Sequence, residues 1–189
     1  SYKVDGKSGS TTDPSKVTIK EATTFTATYK ENADVDITYA SDSTAMGTVT
    51  PATETVAPAT GKAAGSTATA KPGYHLVNWT NNVDATTTTD TTLTAAQVDA
   101  VAKASGAYKA VTFTANFAQD ADATILYASS DTAMGTVSPA SEAVAPATGL
   151  AKGSTATAKS GYHFGNWTNN VDATTTTDAT LSQAQIDAV

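Results

Sequence analysis

A segment of this chain is written twice. Gly73-Tyr74-His75-Leu76-Val77-Asn78-Trp79-Thr80 recurs as Gly161-Tyr162-His163-Phe164-Gly165-Asn166-Trp167-Thr168, and both copies continue without insertion to Asp90 and Asp178. Together they hold both tryptophans and both histidines of the chain. Each lies inside a longer unit with a period of 88 residues: Tyr39 matches Tyr127, Met46 matches Met134, and Val101 matches Val189. Positions 39–101 and 127–189 differ at 14 of 63 places, so the two units must share one fold. The repeat, rather than the whole chain, is the structural quantum.

A second match sets the frame. Phe113-Thr114-Ala115-Asn116-Phe117 corresponds at the same spacing to Phe25-Thr26-Ala27-Thr28-Tyr29. Residues 1–32 therefore read as the tail of a preceding unit, ending in a closing strand over Phe25–Tyr29. Residues 34–120 read as one complete unit. Residues 121–189 read as a second unit that stops before its last strand, the chain being a piece of something longer.

Within the complete unit, Val35, Ile37 and Tyr39 alternate with polar residues, the pattern of a half-buried strand. Thr48-Val49-Thr50 is a short strand closed by Pro51. The stretch from Glu54 to Gly65 reads as a loop around a weak strand. Ser66–Ala70 and His75–Thr80 read as strands joined by Lys71-Pro72-Gly73, where Pro and Gly are ordered for a type II turn. Asn81–Thr92 is a polar excursion with some edge-strand character. Leu93–Gly106 carries the clearest local signal. Thr94 and Gln97 form a capping box, Leu93 and Val98 a hydrophobic staple, and Gly106 is expected to stop the helix. Val98, Val101 and Ala102 fall on one helical face. Val111, Phe113, Ala115 and Phe117 alternate as a closing strand. A few strands, one helix and a final strand make an α+β unit of modest core. Tyr39, Tyr74, Trp79, Leu93, Val98, Val101, Phe113 and Phe117 are its expected core.

Composition narrows the partners. Charged residues make up only 15% and the net charge is −7, which argues against nucleic acid and anionic membrane. No apolar run approaches the roughly 18 residues a membrane span requires. The absence of cysteine excludes disulfides, thiolate metal sites and Cys nucleophiles.

The order of these residues carries a family resemblance. A strand opening near Val35, a Gly-Tyr segment leading to Trp79, and a closing strand ending in Phe117 together resemble the internalin-type B-repeat (Listeria–Bacteroides repeat) family. Gly161-Tyr162-His163-Phe164-Gly165-Asn166-Trp167 is similar to that family's Gly-Tyr-x-Phe-x-Gly-Trp core, with Asn166 standing between the Gly and the Trp. The resemblance implies small β-grasp-like modules strung in an elongated array along a bacterial surface protein, extracellular and of Gram-positive type.

Candidate sites are few. His75, Trp79, His163 and Trp167 could line a carbohydrate or peptide site. Strand alternation, however, sends His75, Val77 and Trp79 one way and Tyr74, Leu76 and Asn78 the other, so core packing accounts for Trp79 and Tyr74 more simply, with His75 at a surface edge. One His per unit is a poor metal signal. The carboxylates Asp34, Asp36, Asp42, Asp84 and Asp90 lack any calcium-loop spacing. No hydrolase, phosphate-loop or metalloprotease motif occurs. The sequence therefore points away from an enzyme and calls for no cofactor. Lys71, Asn78 and Glu54, with their repeats, are of the right types for an internal isopeptide bond. Asn78-Trp79-Thr80 matches the glycosylation sequon, but lies in an expected strand.

Three functions follow. The first is a structural or adhesive array (stalk) whose partners are neighbouring repeats. The second is a multivalent module for a host or cell-surface protein or glycan. The third is a filament subunit, in which Phe25, Ala27 and Tyr29 of one copy complete the sheet of another by strand addition.

Overall fold

The computed structural model describes residues 2–4, 7–9, 22, 24 and 26–189. It is mostly β, with two short helices and several small sheets. A hairpin of β1 (Tyr2–Val4) and β2 (Lys7–Gly9) comes first. Residues 26–34 belong to no strand, and Tyr29 is 88% exposed. The closing strand expected over Phe25–Tyr29 is therefore absent at Thr26–Tyr29, and Phe25 lies outside the described residues. A strand in that position needs neighbours on both sides, and none pairs with 26–29 among the described residues.

The first unit follows the alternations in its sequence. It runs β3 (Val35–Ser41), β4 (Gly47–Thr50), β5 (Thr53–Val56), β6 (Gly65–Ala70), β7 (Tyr74–Asn81) and β8 (Thr92–Thr94). Helix α1 (Ala95–Ala102), β9 (Lys103–Ala104), β10 (Ala107–Tyr108) and β11 (Val111–Gln119) complete it. The main sheet has the order β5-β3-β11-β7, and a second sheet the order β4-β6-β8. The first and last strands, β3 and β11, lie parallel at its centre, with Phe113 opposite Tyr39. Their outer neighbours β5 and β7 are antiparallel. The Thr50–Pro51 and Ser138–Pro139 bonds are cis. Gly73 has φ +78° and the Tyr74 amide donates to the Lys71 carbonyl at 3.1 Å, as the type II turn requires.

Strand β11 alternates strictly between buried and half-buried positions, so its inward row of Val111, Phe113, Ala115 and Phe117 forms the middle of the core. Tyr39 stacks on Phe113 with ring centroids 5.9 Å apart and meets Trp79 edge-on at 6.3 Å. Offset and edge-on rings are the arrangements aromatic quadrupoles favour. Leu93 and Val98 are buried as the staple requires, and Val101 is partly buried against the same cluster. Ile37, Val56, Ala68, Tyr108 and Val111 belong to the core as well. Tyr74 does not; it is half-buried at the start of β7.

Two further expectations are corrected. Simple alternation separates Leu76 from Trp79, yet both face the core. Phe117 pairs with Leu76 and Asn116 with Asn78, so Val77 has no opposite residue and the register shifts there. Such a bulge exchanges the two faces of a strand downstream of it. Secondly, Gly106 does not end the helix, which stops at Ala102 with Lys103 as its C-cap. Ser105 (φ 55°) and Gly106 (φ 81°) instead make the two-residue turn between β9 and β10. The capping box itself forms as expected, with Gln97 Oε1 accepting from the Thr94 amide at 2.8 Å.

The second unit repeats this scheme in part. Its strands are β12 (Ala123–Leu126), β13 (Gly135–Ser138), β14 (Ser141–Val144), β15 (Ser154–Ala158), β16 (Trp167–Thr168), β17 (Thr175–Thr176) and β18 (Thr180–Leu181), followed by α2 (Gln183–Ile186). The β12/β14 and β13/β15/β18 pairings match their first-unit counterparts. Gly65 and Gly153 (φ +93° and +86°) open equivalent strands, where a Cβ would lie 1.9 and 1.8 Å from the Leu93 and Leu181 carbonyl oxygens. No strand to Val189 corresponds to β11. Accordingly β12 ends at Leu126 where β3 continues to Ser41, and residues 162–166 are not paired as β7 is.

Candidate functional site

The structure separates the aromatic and histidine candidates of the first unit. Trp79 is 1% exposed, and its indole N–H donates to the Asp90 carbonyl at 3.1 Å. It offers no face to a ligand. His75 is exposed, and its Nδ1 shares a 2.8 Å hydrogen bond with Asp120 Oδ1 in the connection between units. In the second unit the equivalents come together. His163 and Trp167 line one groove of about 440 Å³ with Met134, Gly135, Tyr162 and Phe164.

The first unit shows what fills that groove's counterpart. A Cβ built on Gly47 would lie 2.4 Å from the Phe117 ring, so this glycine is the floor on which Phe117 sits. The matching Gly135 has only backbone of 157–158 near that point. Tyr127 keeps its edge-on contact with Trp167 at 6.2 Å, but among the described residues no ring stacks on it as Phe113 stacks on Tyr39. Leu126 is 76% and Tyr162 52% exposed. The groove runs between residues 128–131 on one side and residues 162–168 on the other.

A second recurrent feature joins the units. Glu31 Oε1 accepts from the Ala59 and Thr60 amides at 2.6 and 2.9 Å, and Oε2 from the Thr60 hydroxyl at 2.9 Å. The Ala59 amide comes first among the bonds that hold the Glu31 carboxyl below the usual range. One period later, the Thr148 hydroxyl donates to Gln119 Oε1 at 2.9 Å. The residue two positions past each closing-strand motif thus latches to the same loop of the unit that follows. At the latter joint, the Asp120 amide donates to the Gly73 carbonyl, and a Cβ on Gly73 would meet Ala147 at 2.8 Å. Sequence reasoning missed these latches, although Glu31/Gln119 and Thr60/Thr148 stand 88 residues apart.

Two buried tyrosines hold a carboxylate each. Tyr39 donates to Glu54, which also accepts from the Ala64 and Gly65 amides at 2.7 and 3.3 Å. Tyr127, Glu142, Lys152 and Gly153 repeat the arrangement. Burial first, then the carboxylate partner, pushes both phenols well above their ordinary range. Asn78 Oδ1 accepts instead from Asn116 at 2.8 Å, so Glu54 and Asn78 serve separate hydrogen-bond sets rather than a shared isopeptide triad. The Thr-rich excursion is likewise tied down: Gln97 Nε2 donates to Thr88 Oγ1 and Asp90 Oδ2 at 3.1 and 2.7 Å, and Gln185 does the same to Thr176 and Asp178. Among the described residues, no three His, Asp or Glu side chains gather as a metal set. No helix among them is long and apolar enough to cross a membrane.

Strand pairings that recur one period later, with a joint at a fixed place between the units, define a tandem module. Comparison with family models assigns it: the divergent InlB B-repeat domain model matches residues 37–121 and again 126–188, so the chain belongs to that family. Searches of curated proteins and of solved structures return no match.

Proposed function

We propose that this chain is a stretch of a structural, adhesive array: β-grasp-type α+β units that form the stalk of a bacterial cell-surface or extracellular protein, without catalysis. The observation that carries this reading is the repeated latch. Glu31 and Gln119 bind equivalent loops of successive units, and only residues 120–122 separate β11 from β12. Three residues span at most about 10 Å, so a docked joint of that length leaves the units little freedom. Repeats whose stability adds through neighbour contacts suit extended projections. The parallel pairing of β3 and β11 in a sheet with one packed helix supports the β-grasp assignment, and the family's association with bacterial surface proteins supports the location. A multivalent aromatic site is the weaker reading, because Trp79 is enclosed.

Small-angle scattering from the 189-residue chain tests the joint. The expected result is a single extended particle whose maximum dimension stays constant between low and high salt. Gln119→Ala combined with Thr148→Ala should broaden the distance distribution. A wild-type ensemble already as broad as that variant's would remove the stalk reading.

A further inference from the structure

We infer that each unit closes an ester bond between a threonine and a glutamine of its own chain: Thr88 with Gln97, and Thr176 with Gln185 one period later. This chemistry is internal to a unit and does not depend on the stalk role.

The groups that acyl transfer requires meet at the start of α1. The Thr88 hydroxyl donates to Asp90 Oδ2 at 2.9 Å, a nucleophile against its base. Gln97 Nε2 donates to Thr88 Oγ1 at 3.1 Å and to the same Asp90 oxygen at 2.7 Å. Nucleophile and proton carrier therefore both touch the nitrogen that must leave, one bond from the carbonyl carbon. On the other side, Gln97 Oε1 accepts from the Thr94 amide at 2.8 Å and from the Thr94 hydroxyl at 2.7 Å. Paired donors on a carbonyl oxygen are what a developing oxyanion needs. Both reactants are anchored, Thr88 by a 2.7 Å backbone bond from the Trp79 amide of β7, Gln97 by the capping box. Such positioning replaces a chance encounter with a held one. Thr88 and Gln97 are half-buried beside Trp79, Leu93 and Phe113, an apolar wall that shields the product ester, while Asp90 is exposed on the solvent side. The set recurs in the second unit. Gln185 Nε2 donates to Thr176 Oγ1 at 2.9 Å and to Asp178 Oδ2 at 2.8 Å, and its Oε1 accepts from the Ser182 amide and hydroxyl at 2.8 Å each. Ser182 stands where Thr94 does and keeps the hydroxyl.

The terminal torsion of a glutamine is broad, so a small turn of the Gln97 amide presents the face of Cδ to Thr88 Oγ1. Asp90 takes the hydroxyl proton as Oγ1 bonds to Cδ, and the carbonyl electron pair moves onto Oε1 between the two Thr94 donors. Collapse of this tetrahedral centre breaks the Cδ–Nε2 bond. The proton held by Asp90 passes to the nitrogen, which leaves as ammonia. A hydroxyl and a carboxamide become an ester and ammonia, with no oxidation and no co-reactant. Ammonia is protonated and lost to solvent at neutral pH, which draws the exchange forward. The product ties the Thr-rich excursion, already paired to β7 through Trp79, covalently to α1.

The intact mass of the purified 189-residue chain tests the bond. Each ester expels one ammonia, so the expected mass lies about 17 Da below the sequence value for one bond and about 34 Da below it for two. After tryptic digestion, fragment ions from cleavage between Thr88 and Gln97 should be missing until hydroxylamine opens the ester. Thr88→Ala with Thr176→Ala should restore the full mass. Thr88→Ser with Thr176→Ser retains the hydroxyls and should keep the loss, with circular dichroism confirming the fold of both variants. A wild-type mass equal to the sequence value after prolonged incubation at neutral pH overturns the inference. So does a loss that survives the alanine pair, or one that maps to an asparagine, where succinimide formation expels the same ammonia.

Discussion

At the residue scale, the most consequential group is a phenol. Tyr39 contributes its ring to the core and its hydroxyl to Glu54. Tyr39→Phe keeps the ring and removes the donor, leaving the carboxylate with two backbone amides. The expected loss is about 1.5–3 kcal/mol in urea unfolding, the worth of a hydrogen bond to a charged group. The same pair shapes the alkaline limit. A pKa raised on folding gives stability that is complete below the unfolded value of 10.0 and is lost as pH climbs beyond it. Tyr39→Phe together with Tyr127→Phe should flatten that alkaline decline. The acid limit has the opposite sign. Glu31, Asp84, Asp99, Glu142 and Asp172 are all held below their ordinary values of 3.8 to 4.5, by the Ala59 amide, the Thr86 hydroxyl, Lys103, the Tyr127 hydroxyl and the Thr174 amide respectively. Their contribution is present above that range and disappears as pH falls through the lowered values. A thermal-denaturation series should show a plateau between about pH 5 and 9, with decline on both sides.

At the element scale, the decisive device is the bulge at Val77. It places Leu76 and Trp79, three residues apart, on the same face of β7. Deleting Val77 removes the bulge and leaves Leu76 and Trp79 two residues apart, so regular alternation still keeps both on the core face. The expected cost is below about 2 kcal/mol, short of the roughly 3–5 kcal/mol that emptying a large core site costs. Val77→Gly, the residue found at position 165, should cost less than about 1 kcal/mol because Val77 is exposed. Chemical denaturation of the two variants separates register from side-chain content. This element also marks how far the sequence could be read. Strands β3, β4, β6 and β11 and the capping box followed from alternation and local spacing, because each is decided within a few residues. The bulge is decided by β11, some 40 residues away, and alternation alone could not reveal it. Gly106 misled for a similar reason. A glycine past a helix signals a left-handed residue, but whether it caps the helix or turns a hairpin depends on Tyr108, which is buried and bonded to Asp99 and the Ala63 amide.

At the scale of the whole molecule, nearly identical sequences carry unequal cores. Fourteen buried hydrophobic residues cluster in the first unit, whereas Tyr127 and Ala151 are the buried hydrophobics described in the second. Sequence identity predicts equal units; the difference is that the first unit contains β11 whereas residues 121–189 include no corresponding strand, which comparison of the matched positions alone cannot weigh. Each fully buried large side chain contributes roughly 1.5–3 kcal/mol over leaving it exposed, so the two units cannot unfold together unless the joint couples them strongly. Urea unfolding followed by tryptophan fluorescence should therefore show two steps, the earlier one reporting Trp167 and the later one Trp79. Trp167→Phe should remove the first step and spare the second.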